Sequence, residues 1–287
     1  MEKIYSPLRY PGGKVKLVPF FKKLLEENHL IGTTYVEPFA GGANVALSLL
    51  IDGYVSKIII NDIDKSIYSF WHSILHNTDA FIKKIQHSRI SIAEWKRQKS
   101  ILESPEKYSE LDLGFAAFFL NRTNFSGVLQ AGPIGGLQQK GNYKIDARFN
   151  KELLIKKIRC IASHKNNIQV TCKDALDVIN SIRKIQKCLV YFDPPYYLQG
   201  KRLYTNFYQH ADHAKLAASI QRLTIPLVIT YDNVEQIKAL YNNLETMEFI
   251  IHYSAKKHTI ASEVMFLNNI PCQSRYFFTE LVVPCHT

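Results

Sequence analysis

The stretch TTYVEPFAGGANVALSLL (residues 33–50) and the run KIII that follows it at 57–60 decide the fold class. Residues 34–36 are β-branched and aromatic, which predicts a short strand that ends at Pro38 and the glycines behind it. From Asn44 the apolar residues return at helical spacing, whereas KIII is too short for a helix and suits a buried parallel strand. A strand, a helix and a second strand in this order predict a βαβ unit with its right-handed crossover.

The same alternation returns in the last part of the chain. Strands are predicted at 168–172, 188–192 and 225–231, with helices at 176–185 and 211–223 between them. Together with the first βαβ unit, they predict an α/β fold: one mostly parallel, Rossmann-like sheet with helices on both faces. An amphipathic helix is predicted before the sheet at 15–28, and further strand-like runs lie at 247–253, 263–269 and 275–283.

The middle of the chain differs from its flanks in periodicity and in charge. Residues 72–165 carry 16 basic and 8 acidic side chains, whereas the flanks are nearly balanced. Helical periodicity dominates 72–120 and 150–163, and the Gly- and Gln-rich stretch 126–146 predicts a loop and a hairpin. We therefore expect an α/β domain formed by 1–71 and 161–287, split by an inserted, mainly helical domain at 72–160.

Composition excludes several classes of protein. With 287 residues, 46% of them hydrophobic and 21% charged, the chain is typical of a folded protein and not of a disordered one. No run approaches the roughly 20 apolar residues that cross a bilayer, and the first residues lack the apolar core of a secretory signal, so we expect a cytoplasmic protein. The formal net charge of +11 favours an anionic partner but does not distinguish nucleic acid from a membrane surface. Five cysteines without a CxxC pair predict reduced thiols and no metal site.

Acidic residues fall where the predicted strands end. Glu37, Asp62 and Asp193 end three strands, and Asp174 lies just past a fourth. Because the carboxyl ends of parallel strands meet at one edge, these carboxylates are expected along one rim, where open sheets bind ligands. Asp62 follows the glycines at 41–42 by about 20 residues, which suits an acceptor of ribose hydroxyls. The pattern favours a nucleoside-containing cofactor, and the absence of GxGxxG argues against a dinucleotide.

The motif Asp193-Pro194-Pro195-Tyr196 follows a fully apolar strand. Two successive prolines fix the backbone and remove two N–H donors, so acceptors dominate the site. A carboxylate, backbone carbonyls and an aromatic ring in this order suit a planar group that carries an amino substituent. We therefore interpret the motif as a substrate site and not as an ordinary exit from a strand.

A third motif, YPGGK at 10–14, precedes the first helix, and the three motifs together carry a resemblance. The order of YPGGK, VEPFAGG (36–42), NDID (61–64), a basic insertion and DPPYY (193–197) resembles the Dam-type DNA adenine-N6 methyltransferases of the D12 class, the alpha group. The segment FFLNRTNFSG (118–127) also looks like the family's LNRxxxxG stretch. The resemblance spans nearly the whole chain and implies a site-specific DNA methyltransferase. The stretch from Gly132 to Asp146 differs from the recognition hairpin of the GATC enzymes, which leaves the target sequence open.

The resemblance implies a cofactor and its site. The resemblance implies S-adenosylmethionine as the methyl donor, and we expect no metal. The cofactor-binding residues that it implies are Tyr10, Lys14, Glu37, Pro38, Phe39, Gly41, Asp62, Asp174 and Asp193.

The resemblance also implies the reaction and its partner, double-stranded DNA. Asp193 and the carbonyl of Pro194 would accept the N6 hydrogens of an adenine that has flipped out of the duplex, with Pro195 fixing the backbone and Tyr196 stacking on the base. Basic residues of the insertion would contact phosphates, and a cognate restriction endonuclease is a further expected partner. Candidates for DNA contact are Arg122, Asn124, Gln138, Gln139, Lys140, Lys144 and Arg148.

Three alternatives remain open at this point. An N4-cytosine methyltransferase would bind its amine in the same way but more often has Ser in place of Asp193. A glutamine-N5 protein methyltransferase more often has Asn there and does not need a basic insertion. A non-catalytic DNA-binding module would not need YPGGK, EPF and DPPY intact.

Overall fold

The computed structural model describes residues 3–9, 14–198, 208–253 and 259–272. Strands and helices alternate at both ends of the chain, and helices alone fill its middle. The strands are β1 (Thr34–Glu37), β2 (Lys57–Asn61), β3 (Ile168–Thr171), β4 (Cys188–Phe192), β5 (Leu227–Asp232), β6 (Glu245–Tyr253) and β7 (Thr259–Asn268). The helices in the described ranges are α1 (Val18–Glu27), α2 (Asn44–Ile51), α3 (Lys65–His76), α4 (Thr78–His87), α5 (Ile92–Glu103), α6 (Glu110–Thr123), α7 (Lys151–Ala162), α8 (Ala175–Ile182), α9 (His210–Ile220) and α10 (Glu235–Leu240).

The strands form one seven-stranded sheet in the order β3-β2-β1-β4-β5-β7-β6. The first five are parallel, whereas β7 pairs antiparallel with β5 and with β6. This confirms the predicted α/β fold and its mostly parallel sheet. Two of the three strand-like runs of the tail form β6 and β7, and the third, at 275–283, lies outside the described residues.

The sheet separates two hydrophobic cores. Leu189 and Tyr191 of β4 face one core, and Val190 and Phe192 face the other. This alternation with a period of two follows from the pleat, and it explains why all five residues of β4 are buried. Helices α8, α9 and α10 cover the second core, whereas residues of α1, α2 and the middle of the chain cover the first.

The helices of the middle pack mainly into the first core, and α5 and α6 also enclose a small cluster of their own, formed by Ile101, Leu113 and Ala116. Phe70 of α3 stacks on Phe118 of α6, with ring centroids 5.8 Å apart. Phe149 lies across the same ring at 5.5 Å. The limits predicted at 72 and 160 fall inside α3 and α7, so neither end of the inserted segment coincides with a loop. The division into two domains stays a prediction.

The stretch 126–146 differs from the hairpin that its turn residues predict. One antiparallel bridge joins Asn124 to Pro133, and turns and bends fill most of the rest of this fully described stretch. Five glycines and few β-branched residues give it little strand propensity, which explains why the turns form without the strands. In the described ranges, no helix is both long and apolar enough to cross a membrane.

Candidate active site

The four acidic residues lie at the carboxyl edge of the parallel strands, as predicted. Glu37 is the last residue of β1, and Asp62 and Asp193 directly follow β2 and β4. Asp174 follows β3 by three residues. Since β1 pairs in parallel with both β2 and β4, and β2 with β3, these ends are neighbours on one rim.

Asp62 joins the ends of β1 and β2. Its Oδ2 accepts a hydrogen bond from the amide of Gly41 (3.0 Å), and its Oδ1 accepts one from the amide of Asp64 (2.9 Å). Gly41 has a φ of 45° and its carbonyl accepts from the indole of Trp71, so the glycine turn is held on both sides. Burial raises the pKa of Asp62 to about 7, and the charge of Asp64 adds to the rise. Each oxygen keeps a lone pair that can accept a further hydroxyl.

Asn61, which was not among the predicted site residues, forms hydrogen bonds that connect three loops of the rim. Its side-chain amide donates to the carbonyls of Pro38 (3.0 Å) and Lys173 (2.9 Å). Its Oδ1 accepts from the hydroxyl of Thr171 and from the amide of Lys173. Only the position of Asn61 beside Asp62 at the end of an apolar strand could have indicated this role.

Glu37 is buried beneath the glycine turn. Its Oε1 accepts a hydrogen bond from the amide of Ala46 in the first turn of α2 (3.0 Å). Burial raises the pKa of Glu37 to about 8. The residue therefore stabilises the start of α2 from below, whereas Phe39 stays half-exposed on the rim.

Asp193 is held from two sides through one of its oxygens. Its Oδ1 accepts from Nζ of Lys14 (2.8 Å) and from Oγ1 of Thr230 on β5 (2.8 Å). The side chain of Asp193 is 25% exposed, whereas that of Lys14 is 2% exposed. The sequence analysis did not find Thr230, because nothing near it in the chain distinguishes it from other strand residues.

Lys14 and Tyr196 meet at a buried carboxylate, Glu263 of β7. Tyr196 donates its hydroxyl proton to Oε1 of Glu263 (2.8 Å), and Nζ of Lys14 lies 3.3 Å from Oε2. Lys14 also donates to the hydroxyl of Tyr196 (3.2 Å). Lys14 therefore donates two hydrogen bonds, to Asp193 and to Tyr196, and forms an ion pair with Glu263. Its predicted contact with the cofactor stays a prediction.

The loop that follows Asp193 is anchored to the end of β5. The carboxylate of Asp232 accepts from the amides of Tyr197 (2.8 Å) and Leu198 (3.0 Å). Pro194 is buried and Pro195 half-buried. Lacking amide protons, the two prolines leave the hydrogen-bonding of the loop to the residues on either side of them.

Two remaining cofactor candidates have different surroundings. Asp174 is exposed, and its Oδ1 accepts from the amide of Leu176, so it caps α8. Its predicted contact with the adenine of the cofactor stays a prediction. Tyr10, with the rest of 10–13, lies outside the described residues.

Two of the predicted base-reading residues are internal. Asn124 is buried: its Oδ1 accepts from the indole of Trp95 (2.6 Å), and its amide donates to the carbonyls of Val128 and Leu129. The side chain of Gln139 closes its own loop in a similar way, through the carbonyls of residues 134 and 136 and the amide of residue 145. Because Asn124 is fully buried, its prediction is corrected to a structural role, whereas the predicted DNA contact of the half-buried Gln139 stays a prediction.

The other DNA candidates lie on the surface or at its margin. Gln138, Lys140 and Arg148 are exposed, as is Lys144, whose Nζ donates to the carbonyls of residues 139 and 141. Arg122 is half-buried, and its guanidinium donates to the carbonyl of Arg148. Burial lowers the pKa of Arg122 to about 10, and the nearby charges of Arg9 and Arg148 add to the decrease.

Arg122 and three neighbouring cations form a group, and two of its members, Arg9 and Lys157, were not among the predicted DNA contacts. Arg9 donates to the carbonyl of Asn124, and Lys157 to that of Ser6. Burial and the neighbouring cation lower the pKa of both. In the part of the chain that the structure describes, none of the four cations (Arg9, Arg122, Arg148 and Lys157) forms an ion pair with a carboxylate. Such a group is suited to an anion.

Asn121 attaches the N-terminal segment to this cationic group. Its Oδ1 accepts from the amide of Arg9 (2.7 Å), and its Nδ2 donates to the carbonyls of Arg9 (2.8 Å) and Gly127 (2.9 Å). Asn121 and Arg122 are the Asn-Arg pair of the LNR segment at 120–122. The segment that leads to Lys14 is therefore fixed to the end of α6.

Comparison with known proteins places the chain in a family. The family described as D12 class N6 adenine-specific DNA methyltransferase matches residues 10–260. The Type II methyltransferase M.MjaIII of Methanocaldococcus jannaschii is 24% identical over 202 residues, which cover 66% of this chain and 68% of that protein.

Solved structures show only distant similarity. PH1948 of Pyrococcus horikoshii, a proposed RNA methyltransferase, is 10% identical with a TM-score of 0.43, over 92% of this chain and 88% of its own. SMU.1697c of Streptococcus mutans, a proposed methyltransferase crystallised with SAH, is 10% identical with a TM-score of 0.37, over 88% and 97%.

The matched region contains nearly the whole site. It includes the rim from Glu37 to Asp193, the Lys14 contact and the middle helices, and it leaves out Glu263. The chain belongs to the D12 class N6 adenine-specific DNA methyltransferases, enzymes that use S-adenosylmethionine to methylate the N6 atom of adenine in DNA.

Proposed function

We propose that the rim between β1, β2 and β4 holds the cofactor beside a flipped-out adenine, and that Asp193 is the residue that accepts a hydrogen of the substrate amine. The observation that carries the proposal is the bonding of Asp193. Lys14 and Thr230 both donate to Oδ1, and no described residue donates to Oδ2, so we assign Oδ2 to a donor of the substrate. An exocyclic amino group is a donor of this kind.

The chemistry of the rim fits S-adenosylmethionine. Asp62 is a half-buried carboxylate with free lone pairs, which suits the two ribose hydroxyls, and the turn at Gly41 lets a ligand approach the backbone closely. Phe39 offers a half-exposed apolar surface beside it. Glu37 and Pro38 support this surface from the interior, and Tyr10 and Asp174 stay candidates for contact. The cofactor supplies an electrophilic methyl group on a positively charged sulfur.

The residues of this chain make the adenine nitrogen nucleophilic by position and by hydrogen bonding. The lone pair of N6 is delocalised into the ring, so neutral adenine is a poor nucleophile. Asp193 and the carbonyl of Pro194 accept both N6 hydrogens, which favours a tetrahedral nitrogen whose lone pair is free to attack. Asp193 acts as an acceptor and not as a strong base, because the N6–H group is too weak an acid to ionise first. The N–C bond would form as the bond between the methyl carbon and the sulfur breaks, and the surplus proton of the nitrogen would then pass to solvent.

The substrate base leaves the duplex to reach this site. Within a base pair, the N6 atom lies inside the duplex, where the residues of the active site cannot surround it. The adenine must therefore flip out of the duplex. Tyr196 then stacks on it. The hydroxyl of Tyr196 is bonded to Lys14 (3.2 Å) and to Glu263 (2.8 Å), which fixes the orientation of the ring.

Duplex DNA binds across the basic middle of the chain. The four cations around Arg122 form no ion pairs with carboxylates in the described ranges, and phosphates are the anions that a DNA substrate brings to them. Gln138, Lys140 and Lys144 are further contacts from the adjacent exposed loop. In this proposal residues 72–160 are the recognition unit, and 1–71 with 161–287 form the catalytic unit.

The cellular location of the enzyme and one expected partner follow from the same reaction. A DNA methyltransferase works where the DNA is, which for a bacterial or archaeal cell is the cytoplasm. The expected partner is a restriction endonuclease that cuts the same site when the site lacks the methyl group. Methylation would protect the DNA of the host from this endonuclease.

The test is transfer of a tritiated methyl group to unmethylated genomic DNA, followed by analysis of the nucleosides. We expect the label in N6-methyladenine, and no label with Asp193→Ala, because the amine then loses its main acceptor. Asp79→Ala, which removes an exposed carboxylate of α4, is the matched control and keeps full activity. Label in N4-methylcytosine, or an active Asp193→Ala enzyme, contradicts the proposal.

A further inference from the structure

We propose that Thr230 and Glu263 are positioning residues for methyl transfer, which fix the Asp193 carboxylate so that its Oδ2 faces the adenine amine. The inference rests on the proposed role of Asp193 and extends it to two strands that lie far from the sequence motifs. Neither residue touches the substrate in this proposal. Both act through the groups that do.

The two oxygens of Asp193 have different surroundings. Oδ1 accepts from Nζ of Lys14 and from Oγ1 of Thr230, each at 2.8 Å. A carboxylate oxygen has two lone pairs, so these donors saturate Oδ1. Among the residues that the structure describes, no donor lies within hydrogen-bonding distance of Oδ2. Rotation of the carboxylate would exchange the two oxygens, and the pair of donors on Oδ1 opposes that rotation.

The direction of the hydrogen bond from Thr230 can be deduced from its partners. Thr230 has one hydroxyl proton and donates it to Asp193, so it must accept from the phenol of Tyr191, 2.7 Å away. Burial, followed by the charge of Asp193, holds the pKa of Tyr191 well above its ordinary value, which keeps the phenol protonated. The resulting chain runs from Tyr191 through Thr230 to Asp193, and bonds in such a chain strengthen one another.

Glu263 holds the other side of the arrangement. It is buried, with Oε1 accepting from the hydroxyl of Tyr196 (2.8 Å) and Oε2 lying 3.3 Å from Nζ of Lys14. Lys14 therefore lies between two carboxylates, one on β7 and one at the end of β4. Glu263 fixes the position from which Lys14 donates to Asp193, and it fixes the ring of Tyr196 at the same time. Strand β7 reaches the site because it pairs with β5, where Asp232 lies opposite Glu263.

The test compares Thr230→Val with Thr230→Ser. Val keeps the branched shape that suits a buried strand but removes the hydroxyl, whereas Ser keeps the hydroxyl. The measurement is the single-turnover rate of methylation of a DNA duplex at saturating S-adenosylmethionine. We expect Val to slow this rate about 10- to 100-fold, as the loss of a hydrogen bond to a charged group implies, and Ser to stay within about threefold of the unchanged enzyme. The dissociation constants for DNA and cofactor stay unchanged in both variants, whereas Thr230→Val lowers the melting temperature because the buried hydroxyl of Tyr191 loses its acceptor.

A second pair of variants tests Glu263. Glu263→Gln keeps an acceptor for Tyr196, and the ion pair of Lys14 with Asp193 remains. We expect the variant to stay folded, which its melting temperature checks. We expect about a tenfold slower single-turnover rate with the cofactor dissociation constant unchanged. If both residues act through the same carboxylate, the double variant Thr230→Val/Glu263→Gln is less impaired than the product of the single effects.

The outcomes separate this inference from the proposal on which it rests. Asp193→Asn is assayed in parallel, and an active Asp193→Asn enzyme contradicts the role of Asp193 itself. An inactive Asp193→Asn enzyme together with a fully active Thr230→Val enzyme contradicts only the positioning role. A Thr230→Ser enzyme as slow as Thr230→Val, or single effects that multiply in the double variant, also overturns it.

Discussion

At the scale of single residues, the proton on Asp62 determines what its carboxylate can accept. Burial raises the pKa of Asp62 to about 7, close to the pH at which such an enzyme works. A carboxyl whose pKa rises on folding favours the folded protein at low pH and disfavours it as the pH increases through 7. Hydroxyl groups of a bound cofactor that donate to Asp62 stabilise its charged form. They therefore reduce the loss of stability as the pH increases.

The affinity for S-adenosylmethionine is therefore expected to depend on pH. Hydroxyl donors lower the pKa of Asp62, so binding releases a proton, and affinity increases with pH up to about 7 before it levels off. The increase is at most about tenfold per pH unit for one group. Calorimetric titration in two buffers of different ionisation enthalpy measures both the affinity and the proton release.

Asp62→Asn separates this group from Glu37, whose pKa is also raised. We expect Asp62→Asn to bind more weakly at alkaline pH and to lose most of the pH dependence. Asp79→Asn, an exposed carboxylate in α4, serves as the control and keeps the original profile. An unchanged profile in Asp62→Asn would exclude the proposed contact with the ribose.

At the scale of secondary-structure elements, the close approach of α3 and α6 depends on Gly114. A Cβ atom added there would lie 2.4 Å from the carbonyl oxygen of Ser69, closer than real Cβ contacts allow. Gly114→Ala gains about 1 kcal/mol in helix propensity but forces the helices apart, at a cost of about 1–3 kcal/mol or more. We expect net destabilisation, measured as a lower urea midpoint with an unchanged slope.

The matched control for this variant is Gly132→Ala. No heavy atom lies within 4 Å of the Cβ position at Gly132, and its φ is not positive. We expect a change of less than about 0.5 kcal/mol in its free energy of unfolding, as for a surface substitution. Equal effects of both variants would show that packing at Gly114 is not the cause.

The elements of the sheet could be predicted from sequence because their signals are local. The apolar run at 188–192 ends in a turn-forming Pro-Pro pair, and the strand has these same bounds. The rim of carboxylates followed from the parallel arrangement alone. Thr230 and Glu263 could not be predicted, because their roles depend on side chains 37 and 67 residues away along the chain. The prediction that Asn124 reads bases was wrong. Nothing in the sequence around a polar residue close to an arginine indicates that its side chain is buried.

At the scale of the whole molecule, most of the surplus of positive charge lies in the middle of the chain. Its exposed loop carries Lys140 and Arg148, and α7 adds the exposed Lys156. A surface of this kind binds a duplex mainly by releasing counterions from its phosphates. The flanks, nearly neutral, provide the rim that binds small molecules.

Neutralising this surface is expected to weaken DNA binding without affecting the cofactor. For Lys140→Gln/Arg148→Gln/Lys156→Gln, the plot of log affinity against log salt becomes shallower by up to about 0.9 for each phosphate that the protein no longer neutralises. Fluorescence anisotropy with a labelled duplex at several salt concentrations measures the slope. The cofactor dissociation constant stays unchanged.

The control removes as many charges from the opposite edge of the sheet. Arg183, Lys184 and Lys187 are exposed and lie just before β4, away from the rim. Their replacement by Gln leaves the salt slope nearly unchanged if DNA binds across the middle of the chain. The same decrease in slope for both triple variants would mean that net charge, and not a defined surface, binds the duplex.

The bond between Asn121 and the backbone of Arg9 has a consequence for how such enzymes can be recombined. Because the end of α6 binds the chain five residues before Lys14, an exchange of 72–160 between relatives would separate two partners that fit each other. Gly127 adds to this fit, since the carbonyl oxygen of Arg9 occupies the space that a Cβ atom there would need. A working chimera must therefore inherit its first segment and its middle from the same parent, although the two are far apart in the gene.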